Sequence, residues 1–168
     1  RNVLRQGPEA WAALPLPRLP KWLRKLLIAD YDKPTVAAME ERILPLDDGL
    51  IARLDAGIDV LEIGCGSGRA ICHLAQRFPN STFTAYDLCE DAIEVGAAIQ
   101  KEKALMNLTL ATRDITQLGH TDSFDLVLAF DVVHDQKDPA KVLDNVRAAL
   151  KPGGLVIADT GAFTKRNL

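Results

Sequence analysis

Between Ile58 and Asp159 the apolar positions follow two alternating rhythms. Short runs of strand type occur at residues 58–63, Thr82–Asp87, Leu108–Thr112, Phe124–Phe130 and Leu155–Asp159. Between them the spacing turns helical. Ala70, Ile71, Leu74, Ala75 and Phe78 line one face of a first helix, residues 91–104 suit a second, and residues 139–150 a third. Lys151-Pro152-Gly153-Gly154 should stop the third helix, because proline cannot continue it and the glycine pair permits the turn into the last strand. Ile58, Val60, Leu61 and Ile63 suit a strand buried on both faces, which is the signature of a parallel sheet with crossover helices. The predicted architecture is an α/β domain with a doubly wound, mostly parallel sheet.

The segment before Ile58 reads differently. Pro8, Pro15, Pro17 and Pro20 limit any helix in residues 1–20, with Trp11 and Trp22 as anchors on another surface. Trp22, Leu23, Leu26 and Leu27, interspersed with Lys21, Arg24 and Lys25, form a basic amphipathic turn or two, read as a solvated helix face with membrane or partner contact as the competing role. Val36, Ala37, Met39, Ile43 and Leu44 predict a helix that starts at Pro34 and is closed by Pro45. A second short helix follows, with Asp47 as N-cap for Leu50, Ile51 and Leu54 and with Gly57 as its C-terminal stop. The division expected is a helical lid or linker over residues 1–57 and a ligand-binding core over residues 58–168.

Between the first strand and the first helix lies Gly64-Cys65-Gly66-Ser67-Gly68. Glycine there can take φ > 0 and lets backbone approach a ligand, while the free N–H groups of the helix start point toward it. Glu62 stands two residues before the first glycine, and Asp87 ends the second strand about twenty residues beyond the loop. At a strand's carboxyl end Asp87 can accept from both hydroxyls of a ribose; capping the next helix is the competing role.

Val60 to Gly68 closely resembles motif I of the class I S-adenosylmethionine (SAM) dependent methyltransferases. The likeness extends through Asp87, Asp114 and the pattern Phe124-Asp125-Leu126-Val127 followed by Leu150-Lys151-Pro152-Gly153-Gly154, covering residues 58–159. It implies a Rossmann-like fold with SAM as cofactor. By the same resemblance Glu62, Gly64, Cys65 and Gly66 belong to the cofactor loop, Leu88 packs on the adenine, Asp114 accepts from the adenine amino group with the Ile115 N–H as companion donor, and Phe130 and Asp131 complete the pocket. A loop cap is the competing role for Asp114. The helices before motif I resemble a substrate lid, which makes Tyr31 and Met39 substrate-side candidates. Members of the class continue past the fifth strand with a helix and a β-hairpin, and the chain begins at Arg1; it is therefore expected to be part of a longer protein. An outermost strand without that hairpin would pair with a second copy, so a homodimer is one expectation.

Charge and cysteines narrow the partner. A formal net charge of −3 over 168 residues, with an isoelectric point near 5.6, opposes a broad nucleic-acid footprint and favours a small-molecule acceptor. The cysteines at 65, 72 and 89 lack the paired spacing of zinc sites and read as reduced cytoplasmic thiols, Cys65 as a packing residue. No apolar run reaches the ~18 residues of a membrane span.

His134-Asp135, just past the fourth strand, is the local feature able to supply a general base for a hydroxyl acceptor. It resembles the His-Asp of winged-helix small-molecule O-methyltransferases through Val133-His134-Asp135, with Gln136 where plant members have Trp. The run from Val132 to Pro139 is closer to another methyltransferase group that carries a winged-helix domain before this core. A structural loop histidine is the competing role. Asp131, His134 and Asp135 lack a fourth partner for a metal, and His73 and His120 receive no role. Two other functions compete. A nicotinamide-dependent oxidoreductase would place a third glycine where Arg69 stands. A SAM-fold domain that binds without turnover would carry the same cofactor motifs.

Overall fold

The computed structural model describes Val36, residues 39–133 and residues 135–159. The five strands are β1 (Asp59–Ile63), β2 (Thr82–Asp87), β3 (Leu108–Thr112), β4 (Phe124–Phe130) and β5 (Leu150–Asp159). The α-helices are α1 (Leu50–Ala56), α2 (Arg69–Arg77), α3 (Glu90–Glu102) and α4 (Pro139–Ala149). All neighbouring strands pair in parallel, in the order β3-β2-β1-β4-β5. This is a doubly wound sheet. The order reverses at β1, whose carboxyl end therefore opens a crevice toward β4.

The two-residue period of the strands sends side chains into two cores. Val60, Phe83, Ala85, Leu126 and Leu128 share one face with Ile71, Leu74 and Phe78 of the α2 segment. Leu61, Ile63, Tyr86, Val127 and Ala129 share the other with Val142 and Val146 of α4. Every apolar position assigned to the first helix is buried, from Ala70 at 5 % exposure to Ile71 and Leu74 at 0 %. Each large side chain so covered contributes about 1.5–3 kcal/mol relative to exposure.

Residues 39–57 join the first core. Met39–Ile43 form a π-helical turn and Leu44–Leu46 a 3-10 turn, with Pro45 accommodated at the start of that turn instead of closing a longer helix. Met39 is fully buried beside Leu44, Leu50 and Leu54, so it packs the core and is removed as a substrate-side candidate. Tyr31, Trp11, Trp22 and Pro34 lie outside the described residues. Asp47 does not cap α1. Its carboxylate accepts from Gly49 N at 3.1 Å, turning the chain two residues too early, and Gly49 occupies the N-cap position. Gly57 ends α1 as expected, with φ +108 and its N–H donating to Arg53 O. Buried Ser81 fastens this end, its hydroxyl donating to Leu54 O at 2.7 Å and accepting from Ile58 N at 3.0 Å.

The largest departure from expectation is at β5. Leu150 already pairs with Phe124, and Leu155 pairs with Leu126, so residues 151–154 bulge within the strand. The strand thus begins at Leu150, five residues before the expected start. Pro152 is tolerated because β5 is an edge of the described sheet, and Gly153 turns at φ +79. Lys151 uses the bulge to reach Asp59 and Asp125, each at 2.7 Å from Nζ.

Candidate active site

The glycine loop is built by hydrogen bonds that prolong the β1–β2 ladder. Gly64 N and Cys65 N both donate to Tyr86 O, at 2.8 and 3.1 Å, and Gly68 N donates to Cys65 O at 2.8 Å. Gly64, Gly66 and Gly68 all have left-handed φ, at +68, +56 and +65. Gly64 is also required sterically, because a Cβ there would meet Val132 Cγ2 at 2.4 Å. The loop is thereby pressed against the segment leaving β4. From behind it is held by α3, where a Cβ on Gly96 would lie 2.7 Å from Ser67 O. Nothing in the motif drew attention to Gly96; a lone glycine inside a helical pattern was the available signal.

Asp87 meets this loop directly. Its Oδ2 accepts from Gly66 N at 2.8 Å and its Oδ1 from Cys89 N at 2.8 Å. The second contact fixes the entry to α3, although the N-cap position belongs to Cys89. Each carboxylate oxygen keeps acceptor capacity beyond these bonds. Leu88, next along the chain, is 63 % exposed.

The β3 end carries Asp114 as N-cap of the 3-10 turn Ile115–Gln117. Its Oδ1 accepts from Thr116 Oγ1 at 2.7 Å and Thr116 N at 2.8 Å, and these bonds hold its carboxyl below the usual range. The capping role is therefore occupied through Oδ1. Ile115 is buried, and its carbonyl accepts from Asn145 Nδ2 of α4 at 3.0 Å.

Glu62 is buried at 3 % exposure on the α2 side of β1, in register with Ala85 and Leu128. Cys65 is buried in the first core and Cys72 is fully buried. Burial pushes the Cys72 thiol up to about 11. Beyond half-buried Phe130, Asp131 takes φ +53, which bends the chain sharply off the sheet. Gln136 steadies that bend by donating from Nε2 to Val132 O at 3.1 Å. Asp135 is exposed, and His134 lies outside the described residues.

Because the strands are parallel, Glu62, the glycine loop, Asp87, Asp114, Phe130 and Asp131 fall along one edge of the sheet, at and beyond the topological switch. Carboxylates gathered around a left-handed glycine loop at the carboxyl ends of parallel strands suit a ligand with hydroxyls, an aromatic base and a charged tail.

The strand order, the glycine loop and the acid ending β2 define the Rossmann-like fold of the class I methyltransferases. Residues 54–167 match the family described as "Methyltransferase domain", and the chain belongs to that family. S-adenosylmethionine is the cofactor of such domains. A malonyl-[acyl-carrier protein] O-methyltransferase from Haemophilus ducreyi is 32 % identical over 149 residues, covering 84 % of this chain and 54 % of the relative. A ubiquinone biosynthesis O-methyltransferase from Nitrobacter winogradskyi is 31 % identical over 106 residues, covering 62 % of this chain and 39 % of the relative. The chain thus spans about half or less of the curated relatives it matches. Among solved structures, PKMT2 from Rickettsia typhi in complex with AdoHcy aligns with TM-score 0.58 and 27 % identity, over 62 % of this chain and 21 % of that one. Among the described residues, no helix is long and apolar enough to cross a membrane.

Proposed function

We propose that the chain is the cofactor-binding core of a SAM-dependent methyltransferase that modifies an oxygen on a small-molecule acceptor. The single observation that carries this reading is the Asp87 carboxylate seated on Gly66 N–H at the switch point. That arrangement fits the cofactor: left-handed glycines bring backbone within reach of it, and the acid stands where a ribose would lie against the loop. Bound SAM supplies a methyl group on a sulfonium, a good leaving group.

Asp87 accepts from the two ribose hydroxyls through the acceptor capacity its backbone bonds leave. Asp114 accepts from the adenine amino group through Oδ2, with Ile115 N–H as donor to the ring. Exposed Leu88 offers an apolar surface to the base, and covering it favours binding. Glu62, Gly64, Cys65 and Gly66 shape the loop around the amino-acid end, with Phe130 and Asp131 on the β4 side. These residues orient the methyl toward an acceptor, and alignment supplies much of the rate. For a hydroxyl, the His134-Asp135 pair supplies the general base, with His134 removing the acceptor proton.

Both curated relatives named above are O-methyltransferases, which supports oxygen as the acceptor atom. A winged-helix domain ahead of the core belongs to the same proposal, on the likeness of residues 132–139. The test is an acceptor screen with methyl-labelled SAM, covering phenols, other alcohols and carboxylates beside amines and carbon acids. Label on an oxygen, lost in Asp87→Ala, supports the reading. Transfer solely to nitrogen or carbon acceptors would overturn the oxygen assignment.

A further inference from the structure

Directly behind the two acids assigned to adenosine sits a cluster that none of those roles uses. Tyr86 precedes Asp87, Arg113 precedes Asp114, and His120 lies in the loop leading to β4. Arg113 joins the two strand ends twice. Its backbone N–H donates to Asp87 O at 2.9 Å, and its Nη1 donates to the Tyr86 hydroxyl at 3.2 Å. The same Nη1 is 3.4 Å from His120 Nε2, and the Tyr86 hydroxyl is 3.0 Å from that nitrogen. The imidazole stacks on Tyr86 with centroids 5.9 Å apart and planes 10° apart, and meets Phe124 edge-on at 5.0 Å. The guanidinium carbon lies 5.1 Å from the Tyr86 ring centroid.

Proton counting defines the state of this cluster. A guanidinium only donates, so Tyr86 Oη receives from Arg113 and turns its own proton toward His120. Both neighbours of His120 Nε2 are then donors. That nitrogen must offer a lone pair, which makes His120 neutral with its proton on Nδ1. Burial, and then the Arg113 charge, hold the imidazole below its ordinary pKa, in agreement with that state. Arg113 is the charged group facing the ring and Tyr86 the titratable one; Phe124 contributes an uncharged edge.

We infer that Tyr86, Arg113 and His120 form a proton-sensitive positioning element that sets the spacing of Asp87 and Asp114, and with it the fit of adenosine. The inference rests on the proposal that those two carboxylates hold the nucleoside. Protonation of His120 turns Nε2 into a donor and places a second positive charge against Arg113. Repulsion from the imidazolium, which now also donates to the Tyr86 hydroxyl, weakens the guanidinium's hold on that oxygen, and the turn from Arg113 to Thr116 loosens. None of the three residues touches the cofactor; they act through the acids beside them.

The test uses the full chain and two readouts between about pH 8 and about pH 4.5, an interval that extends to the acid side of the ordinary imidazole range because His120 is held below it. Calorimetry gives the affinity for S-adenosylhomocysteine (SAH), and amide hydrogen exchange gives protection factors for residues 113–116 without ligand. The wild type is expected to lose about fivefold or more in affinity toward acid, a normal size for coupling between sites. Its protection factors should fall over the same interval, with the midpoint of the His120 ring titration seen by NMR. His120→Gln keeps a neutral acceptor and should abolish both dependences. A wild type with flat affinity and flat protection overturns the inference, as does an equal slope in His120→Gln or an NMR midpoint outside the interval. Absence of SAH binding at either end would overturn the adenosine reading instead, and the ligand-free protection factors and ring titration would still decide whether the turn responds to His120.

Discussion

Asp87 accepts the Gly66 N–H at 2.8 Å, so the acid that ends β2 and the loop that follows β1 form one hydrogen-bonded unit. Removing the carboxylate therefore releases the loop and, on the proposed role of Asp87, also takes away an acceptor for the ribose. Asp87→Ala should weaken SAH binding by about 1.5–3 kcal/mol, the worth of a hydrogen bond to a charged group. Cys65→Ala should lose less, since the thiol packs the core and offers nothing to the ribose. Calorimetry on both variants checks this, and equal losses would contradict it.

Glycine substitutions should separate close packing from backbone strain. At Gly64 an added Cβ meets left-handed φ and Val132 at 2.4 Å; at Gly153 it meets left-handed φ alone, with nothing within 4 Å. Gly153→Ala should lose about 1–2 kcal/mol of stability, the penalty of the left-handed region. Gly64→Ala should lose at least about 1–3 kcal/mol more from overpacking and also bind SAH poorly. Chemical denaturation compares the two.

Lys151 ties β5 to β1 and β4 through Asp59 and Asp125. Hydrogen bonding from Lys151, then from Thr82, lowers the Asp59 pKa; at Asp125 burial opposes the Lys151 and Asp59 N–H bonds, which prevail and lower it as well. A depressed folded-state carboxylate stabilises above its unfolded pKa, about 3.9 for Asp, and that stability is lost as pH falls through the folded value. Lys151 is shifted up by the same bonds, so its share is present below an unfolded pKa of about 10.4 and fades as pH rises through the folded one. Lys151→Met should lower stability at neutral pH by about 1 kcal/mol, a modest figure because the groups are partly exposed to solvent. Thermal melts should show a shallower acid dependence in the variant than in the wild type.

With a hydroxyl acceptor, His134→Ala should lower the maximal rate by about 10² to 10⁴, the range of a positioned base, while SAH affinity changes little. Single-turnover kinetics together with calorimetry test the split. Unaltered turnover would return His134 to a purely structural role.

Strand and helix positions in the core were legible because burial on two faces leaves strong periodic marks; β3 and β4 begin and end where the apolar runs do. The Lys151–Gly154 stretch misled for a physical reason. Proline and glycine signal a break, and at an edge strand a bulge is a break the ladder can carry. Asp47 likewise has the chemistry of an N-cap, but local geometry turned its carboxylate to Gly49 N. The gathering of the glycine loop, Asp87 and Asp114 at the carboxyl edge of the sheet was legible through glycines and acids at fixed spacing. Gly96 and the Tyr86–Arg113–His120 cluster were not, because their partners are distant in sequence and meet only when the sheet is assembled.

On the proposed reading, the carboxyl ends of β1 to β4 hold an adenosyl cofactor of the methyl-transfer type. Titration of the intact chain with SAH, and in parallel with NAD, followed by calorimetry and by amide NMR shifts, tests it most directly. SAH should bind saturably at about micromolar Kd, about −8 kcal/mol, with shifts at residues 64–68, 87–89 and 114–115, and NAD should produce no comparable response. Binding of NAD in preference to SAH, or SAH shifts confined to other residues, would contradict it.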